Sequence, residues 1–219
     1  MLNVAKIVVG ALDTNCYVVW TEFLDAVIID PGADSKAISK IITHCRLKVR
    51  GYLITHGHID HLGALVSLRR HVEISTAEFP QTEAPIAMHE SDIEWAFDPA
   101  SRMLPYSAVP PRPASIERVL RGGEKFDDEG LVYRVISTPG HTSGGVCFYF
   151  PDDNVIFSGD TLFQGSVGRT DLPGGNDVQL KKSLEILTAL PPETRVYPGH
   201  GPETTIGREI ESNPFLAGD

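Results

Sequence analysis

Cysteine is scarce in this chain. Cys16, Cys45 and Cys147 are the only three among 219 residues, and no two form a C-x-x-C pair. That spacing excludes a disulfide scaffold and a thiolate zinc knuckle, and it suits reduced thiols packed as small apolar side chains. Basic residues are also in deficit, 19 Lys and Arg against 29 Asp and Glu, for a net charge of −10. A general nucleic-acid or membrane-surface binder needs a basic face, so neither partner is expected. No apolar run approaches the ~20 residues of a membrane span. Residues 1–10 lack the charged start and long apolar stretch of a secretory leader, so a cytoplasmic location is expected. A phosphate-binding glycine loop and a Ser-His-Asp elbow are missing as well. What remains is a globular composition, 42% apolar, enough for one sizeable domain expected over 1–219.

Against those absences stands one dense feature, Thr55-His56-Gly57-His58-Ile59-Asp60-His61. Three imidazoles and a carboxylate this close have few uses other than holding metal. On one regular helix His56 and His58 would point about 200° apart. On a flat strand His58 and His61 would face opposite sides. All four converge only on a loop that turns from a strand end into a helix start, and Gly57 permits such a turn. The flanks agree: the apolar run 51–55 reads as a buried strand and 63–71 as a helix.

The first half of the chain then reads as strands at 4–9, 16–20 and 26–30, with Asp30-Pro31-Gly32 as a turn. A helix follows, with Ser35 as its expected N-cap and an end near His44. A strand at 85–88 precedes a helix capped by Ser91 or Asp92 and running through Trp95 and Phe97. The Pro-rich, aperiodic stretch 98–114 is expected to form a rim over the site. The second half offers strands at 131–137, 145–150, 155–159 and 195–197, an amphipathic helix at 177–190 and a last helix at 204–212. Two sheets face to face with helices outside fit this order.

Three later positions share one context, a polar ligand after a strand and beside glycine: Pro139-Gly140-His141, Gly159-Asp160-Thr161 and Pro198-Gly199-His200. With the first cluster they complete a set of seven ligands, enough for two ions. His44, His71 and His89 lack such company and are expected at helix ends, in structural or solvated roles.

The set His56, His58, Asp60, His61, His141, Asp160 and His200 resembles, in every ligand position, the metallo-β-lactamase-fold hydrolases. Asn15-Cys16-Tyr17, Gly159-Asp160-Thr161-Leu162-Phe163, the Gly-rich run 165–175 and Asn213-Pro214-Phe215 narrow the likeness to short, single-domain glyoxalase II-like (hydroxyacylglutathione hydrolase-like) enzymes. The resemblance implies an α/β fold, a four-layer αβ/βα sandwich of two mixed sheets with the metals at one open edge. It further implies that His56, His58 and His141 bind one metal, that Asp60, His61 and His200 bind the second, and that Asp160 bridges them. It departs in two places. The glutathione-binding helical domain of longer relatives is expected to be missing, and Asp171 replaces the tyrosine that follows the basic position, although Arg169 keeps that position. Asp160 also stands where some β-lactamases of this fold use cysteine, which argues against antibiotic hydrolysis.

Imidazole and carboxylate donors without thiolate accept zinc, iron or manganese, and two zinc ions are expected. A hydroxide formed between the metals would attack an ester-like carbonyl, with Asp60 orienting it. A small-molecule thioester such as S-lactoylglutathione suits a site without a spare general acid, because a thiolate leaves unaided. Arg169 is the expected holder of an anionic substrate tail. Two rivals remain: a persulfide dioxygenase with one iron on His56, His141 and Asp160, and another ester or phosphodiester hydrolase of the same fold.

Overall fold

The computed structural model describes residues 1–75, 84–101, 105, 106 and 108–216. The first sheet runs in spatial order β1 (Asn3–Val9), β2 (Thr14–Trp20), β3 (Asp25–Ile29), β4 (Lys48–Leu53), β5 (Ile86–His89) and β6 (Arg118–Leu120). Tight turns make β1, β2 and β3 antiparallel, whereas β3 to β6 are parallel. Parallel neighbours need crossovers. Those between β3 and β5 carry α1 (Ser35–His44), the one-turn α2 (Ile59–Leu62) and α3 (Leu65–Ser75). After β5 comes α4 (Glu90–Ala96).

The second sheet is built from β7 (Lys125–Asp128), β8 (Leu131–Ser137), β9 (Val146–Phe150), β10 (Val155–Gly159), β13 (Arg195–Pro198) and β14 (Thr204–Thr205), in spatial order β14-β13-β10-β9-β8-β7. A small hairpin, β11 (Leu162–Phe163) with β12 (Ser166–Val167), follows β10. Two helices, α5 (Asp177–Thr188) and α6 (Ile206–Ser212), complete this half.

Alternation along the strands produces the layers. Cys16, Val18, Ala26 and Ile28 face α1 and α3, where they pack with Ile38, Ile42, Leu65 and Leu68. Their neighbours Tyr17, Val19, Val27 and Ile29 face the other sheet and meet Tyr133, Phe148, Phe150 and Phe157. Cys147, Tyr149 and Ile156 turn outward onto Leu180, Leu184 and Leu187 of α5. The fold is therefore helices, sheet, sheet, helices, the four-layer arrangement expected. Cys16 and Cys147 are fully buried and unpaired, as packing residues. At the edge of the sandwich, Arg118 of β6 makes a two-pronged ion pair with Asp128 of β7 at 2.6 and 2.7 Å, tying one sheet to the other.

Several boundaries differ from the sequence expectations. The N-cap of α1 is Asp34, not Ser35. Asp34 adopts the left-handed conformation and gives its carboxylate to Gly10 N at 2.9 Å instead of to the helix. The helix expected at 63–71 is α3, which starts at Leu65 and runs on to Ser75, so His71 lies inside it rather than at its end, its Nδ1 3.0 Å from Ser35 Oγ. His89, not Ser91 or Asp92, caps α4, its Nδ1 accepting from Ser91 N at 3.2 Å. Strand β4 begins at Lys48 rather than Gly51, and Thr204–Thr205 pairs as β14 before α6 begins. Of the expected rim at 98–114, residues 102–104 and 107 lie outside the described residues. Its remainder includes Arg112, which pairs with Glu94 of α4 at 2.6 and 2.9 Å and lies over the Phe97 ring.

Phe157 sits at the centre of the inter-sheet layer, edge-on to Tyr17 and Phe150 and stacked on Tyr197. Truncation to Ala is expected to cost about 3–5 kcal/mol, as for other buried Phe residues. Urea unfolding should show it as a lower midpoint at unchanged m-value. A loss below about 1 kcal/mol would mean that this layer does not hold the two sheets together.

Candidate metal centre

The expected ligands emerge where strands stop. His56 follows β4, His141 follows β8, Asp160 follows β10 and His200 follows β13. Strands β8, β10 and β13 run in the same direction, so their C-terminal ends share one edge. A bond from Val146 N to Thr55 O (2.9 Å) brings the end of β4 to that edge from the other sheet. The window around His56 does what the ligand geometry demanded: it bends through Thr55–Gly57, is extended at His58 and turns helical from Ile59, so that His58, Asp60 and His61 reach the same site.

All seven side chains come together there. The ligand atoms of His56, His58 and His141 lie within 4.8 Å of one another, as do those of Asp60, His61 and His200, and those of His56, His61 and Asp160. Asp160 stands between the groups, its carboxylate 3.4 Å from His61 Nε2, 3.5 Å from His141 Nε2 and 3.6 Å from His200 Nε2. Asp60 Oδ2 lies 3.4 Å from His61 Nε2 and 3.3 Å from His200 Nε2. Gly199 makes the approach possible: a Cβ there would collide with the Asp160 carboxylate and the His61 ring.

The outer faces of the rings settle which nitrogen points inward. His141 Nδ1 donates to Arg169 O at 2.7 Å and His200 Nδ1 to Leu12 O at 3.0 Å, and a carbonyl can only accept, so both Nε2 lone pairs face the centre. Asp30 does the same for two more rings. It accepts from Thr55 N at 2.8 Å, from Thr55 Oγ1 at 2.6 Å and from His61 Nδ1 at 2.9 Å. With its own proton on Asp30, Thr55 Oγ1 accepts from His56 Nδ1 at 3.0 Å. His58 is turned the other way, its Nδ1 2.9 Å from His141 Nε2.

This leaves His56 Nε2, His61 Nε2, Asp60 Oδ1 and Asp160 Oδ1 buried without a hydrogen-bond partner. Each such atom costs about 1–3 kcal/mol when left unpaired. Four of them converging on one point fit divalent cations. The electrostatics agree. Burial and the neighbouring imidazoles push His56 down and hold His58 down at about 3, keeping both rings neutral. Burial works against charge on Asp60, but His61, His200 and the Thr14 hydroxyl (2.9 Å) hold its carboxyl below the usual range. Burial also opposes charge on His61, yet Asp60, Asp160 and Asp30 overcome it and raise the ring to about 10. A field that draws a proton onto a buried imidazole is a field that holds a cation.

Three supporting residues escaped the sequence reading. Asp30 looked like turn punctuation. Thr14 had no distinguishing neighbour. Asp92, considered only as a helix cap, is a buried anchor that accepts from Gly57 N (2.8 Å), Thr142 Oγ1 (2.7 Å) and Gly144 N (2.7 Å), fastening the His58 loop to the His141 loop. Asp30 and Asp92 offer only a carboxylate at a strand end or a helix start, which turns and caps share, and Thr14 offers no local signal. Arg169 takes part through its backbone carbonyl, while its exposed guanidinium pairs with Asp171 through two 2.7 Å bonds. The centre is flanked by two aromatic rings, Trp95 at 5.3 Å from His58 and Phe163 at 6.3 Å from His200.

Residues 9–200 match the family described as the Metallo-beta-lactamase superfamily. The hydroxyacylglutathione hydrolase GloC of Haemophilus influenzae is 35% identical over 222 residues, covering 98% of each chain. The crystal structure of the BLEG-1 B3 metallo-beta-lactamase is 36% identical, with a TM-score of 0.85 and full coverage of both chains. The crystal structure of TTHA1623 in a di-iron-bound form is 37% identical, with a TM-score of 0.80, covering 97% of this chain and 100% of that one.

Two measurements test the centre. Asp30→Asn should weaken metal binding about 10–100-fold in a chelator competition, as loss of a partner behind a ligand does elsewhere. Unchanged affinity would remove Asp30 from the site. In metal-free protein the raised His61 contributes stability that is full below its unfolded value of ~6.5 and lost as pH rises through about 10. The metal-free unfolding midpoint should therefore fall between pH 7 and 10. That fall should vanish with metal bound and in His61→Gln. A flat metal-free profile would contradict the assigned charge.

Proposed function

Because the chain belongs to the metallo-beta-lactamase superfamily, we propose that it is a binuclear metallohydrolase that cleaves small thioesters such as S-lactoylglutathione. The observation that carries this reading is the convergence of four buried, unpaired donor atoms within interlocking groups of His and Asp at one open edge. The donor set is nitrogen and oxygen only, which suits a pair of zinc or iron ions.

His56, His58 and His141 would hold one ion, Asp60, His61 and His200 the other, and Asp160 both. Bound there, divalent cations supply an acidified water and a Lewis acid for the oxyanion that develops on the attacked carbonyl. The protein's own contribution is orientation and charge. Asp30, Thr55, Arg169 O and Leu12 O keep ring protons on the outer nitrogens, so that four Nε2 lone pairs stay available. Thr14 donates to Asp60 Oδ2, and the Asp60 carboxylate, kept ionised, would accept a hydrogen bond from the acidified water and so orient it. Trp95 and Phe163 form apolar walls. The acids at the centre are all engaged as ligands or their supports. A leaving group must then depart unprotonated, which a thiolate with a pKa of ~8.5 does far more readily than an alkoxide. This supports the thioester, as does the whole-length similarity to GloC. Arg169 is exposed and could exchange Asp171 for an anionic substrate tail.

A second reading, β-lactam opening, is favoured by the 36% identity to BLEG-1 over the full chain. Three assays on purified protein of known metal content separate the possibilities. Chelator-sensitive hydrolysis of S-D-lactoylglutathione, with little turnover of a chromogenic cephalosporin, is expected. The reverse preference would replace the thioesterase by the lactamase. One equivalent of iron with oxygen uptake on a persulfide would replace both by an oxygenase. Arg169→Ala is expected to raise KM for the glutathione thioester several-fold at nearly constant kcat. An unchanged KM removes Arg169 from substrate binding.

A further inference from the structure

Beside the metal centre, and separate from its ligands, lies a cavity of about 810 Å³. Its volume is that of a small-molecule site rather than of a packing defect. Ile59 and Gly63, at either end of α2, form one wall, while Asp60 and His61 between them belong to the candidate ligand cluster. Ala37 and Ala64 line it, and the described part of the Pro-rich stretch, Tyr106 and Ala108 to Pro111, covers it. Most of this lining is apolar.

The polar groups are few and mostly of one sign. Lys36 and Lys40 stand one turn apart on α1 and line the cavity, and neither makes an ion pair among the described residues. The single lining carboxylate, Asp34, accepts from Gly10 N at 2.9 Å and makes no ion pair with either lysine among the described residues, so one negative charge shares the lining with two positive ones. The first turn of α1 has no side-chain cap, so its positive end is open at the same place. Tyr106, also part of the lining, carries its hydroxyl beside the backbone of Gly10 and Ala11. In a chain of net charge −10, two ammonium groups without an ion-pair partner among the described residues line this mostly apolar hollow.

The geometry points to a binding site for an organic anion with an apolar body: the chain lies against Ala37, Ile59, Ala64 and Val109, and the anionic head meets Lys36 and Lys40. Two sources carry this chemistry, an acidic acyl group on the substrate or a separate carboxylate ligand. Only the first rests on the thioester reading.

The probe is 1-octanesulfonate, an apolar anion and a poor metal ligand, titrated into the metal-loaded protein while amide NMR shifts are followed. Saturable shifts at Ser35, Lys36, Ala37 and Ala64 are expected, with octanol binding at least tenfold more weakly. Lys36→Glu/Lys40→Glu should raise the dissociation constant about tenfold, the sum of two partly exposed ion pairs. Ala37→Phe, which fills the hollow from an exposed helix position, should abolish binding at unchanged unfolding midpoint. Sulfonate binding unaffected by either variant, or shifts centred elsewhere, would overturn the proposal. The source follows from glutaryl and pentanoyl thioesters of N-acetylcysteamine, which differ in charge only on the acyl side. A tenfold loss of kcat/KM for glutaryl alone in Lys36→Glu/Lys40→Glu assigns the site to the substrate. Equal rates on both, with sulfonate binding lost, assign it to a separate ligand. If the wild type cleaves neither, the thioester reading fails while sulfonate binding still decides the cavity.

Discussion

One carboxylate organises the centre. Asp30 ends β3 in the left-handed conformation and accepts three hydrogen bonds, two from Thr55 and one from His61. Through Thr55 it also fixes His56. It is 2% exposed, and a buried carboxylate that accepts three bonds is stable only in that arrangement. The strand end, the ligand loop and two imidazoles therefore cannot move independently. Asp92 plays the matching part on the other side, joining the His58 and His141 loops. The ligands are held by carboxylates that are not themselves ligands, and this lets side chains from both sheets meet to within a few ångströms.

The layers above and below exist to place those strand ends. Alternation in β2, β3, β9 and β10 buries both faces, and the parallel crossovers bring β4 up beside β3 with its C-terminal end at the site. A cluster of metal-ligating side chains at the open edge of two packed sheets follows from this topology, and the chain belongs to the metallo-beta-lactamase superfamily. What surrounds the edge includes Trp95, Phe163 and the exposed Arg169, and on the proposed reading these would set the choice of substrate. Such loop and rim features vary independently of the layers beneath, and a shared fold alone does not decide between thioester and lactam.

The sequence was most legible where chemistry is local. His56, His58, Asp60 and His61 stand so close together that only a strand-to-helix loop lets them converge, and the backbone takes that path. His141, Asp160 and His200 were legible through a repeated context, a ligand beside glycine after a strand, whose physical cause is visible at Gly199. Asp30, Asp92 and Thr14 were not, because their partners lie 25 to 52 residues away and nothing local separates a buried acceptor from a turn acid, or a buried hydroxyl donor from an ordinary strand threonine. The caps of α1 and α4 were misread for a related reason. Asp34 gives its carboxylate to Gly10 across the fold, and His89 caps α4 with a ring nitrogen, a residue outside the usual capping set. The two-residue strands β11, β12 and β14 are too short to carry a periodic signal.

The central claim is a pair of metal ions sharing Asp160. X-ray absorption at the metal edge on the purified, metal-replete protein tests it most directly. The account predicts nitrogen and oxygen neighbours only, imidazole scattering, and a metal–metal vector of ~3.5–4 Å that disappears in His200→Ala as one equivalent of metal is lost. A single metal with no such vector in the wild type, or sulfur in its coordination shell, would contradict it.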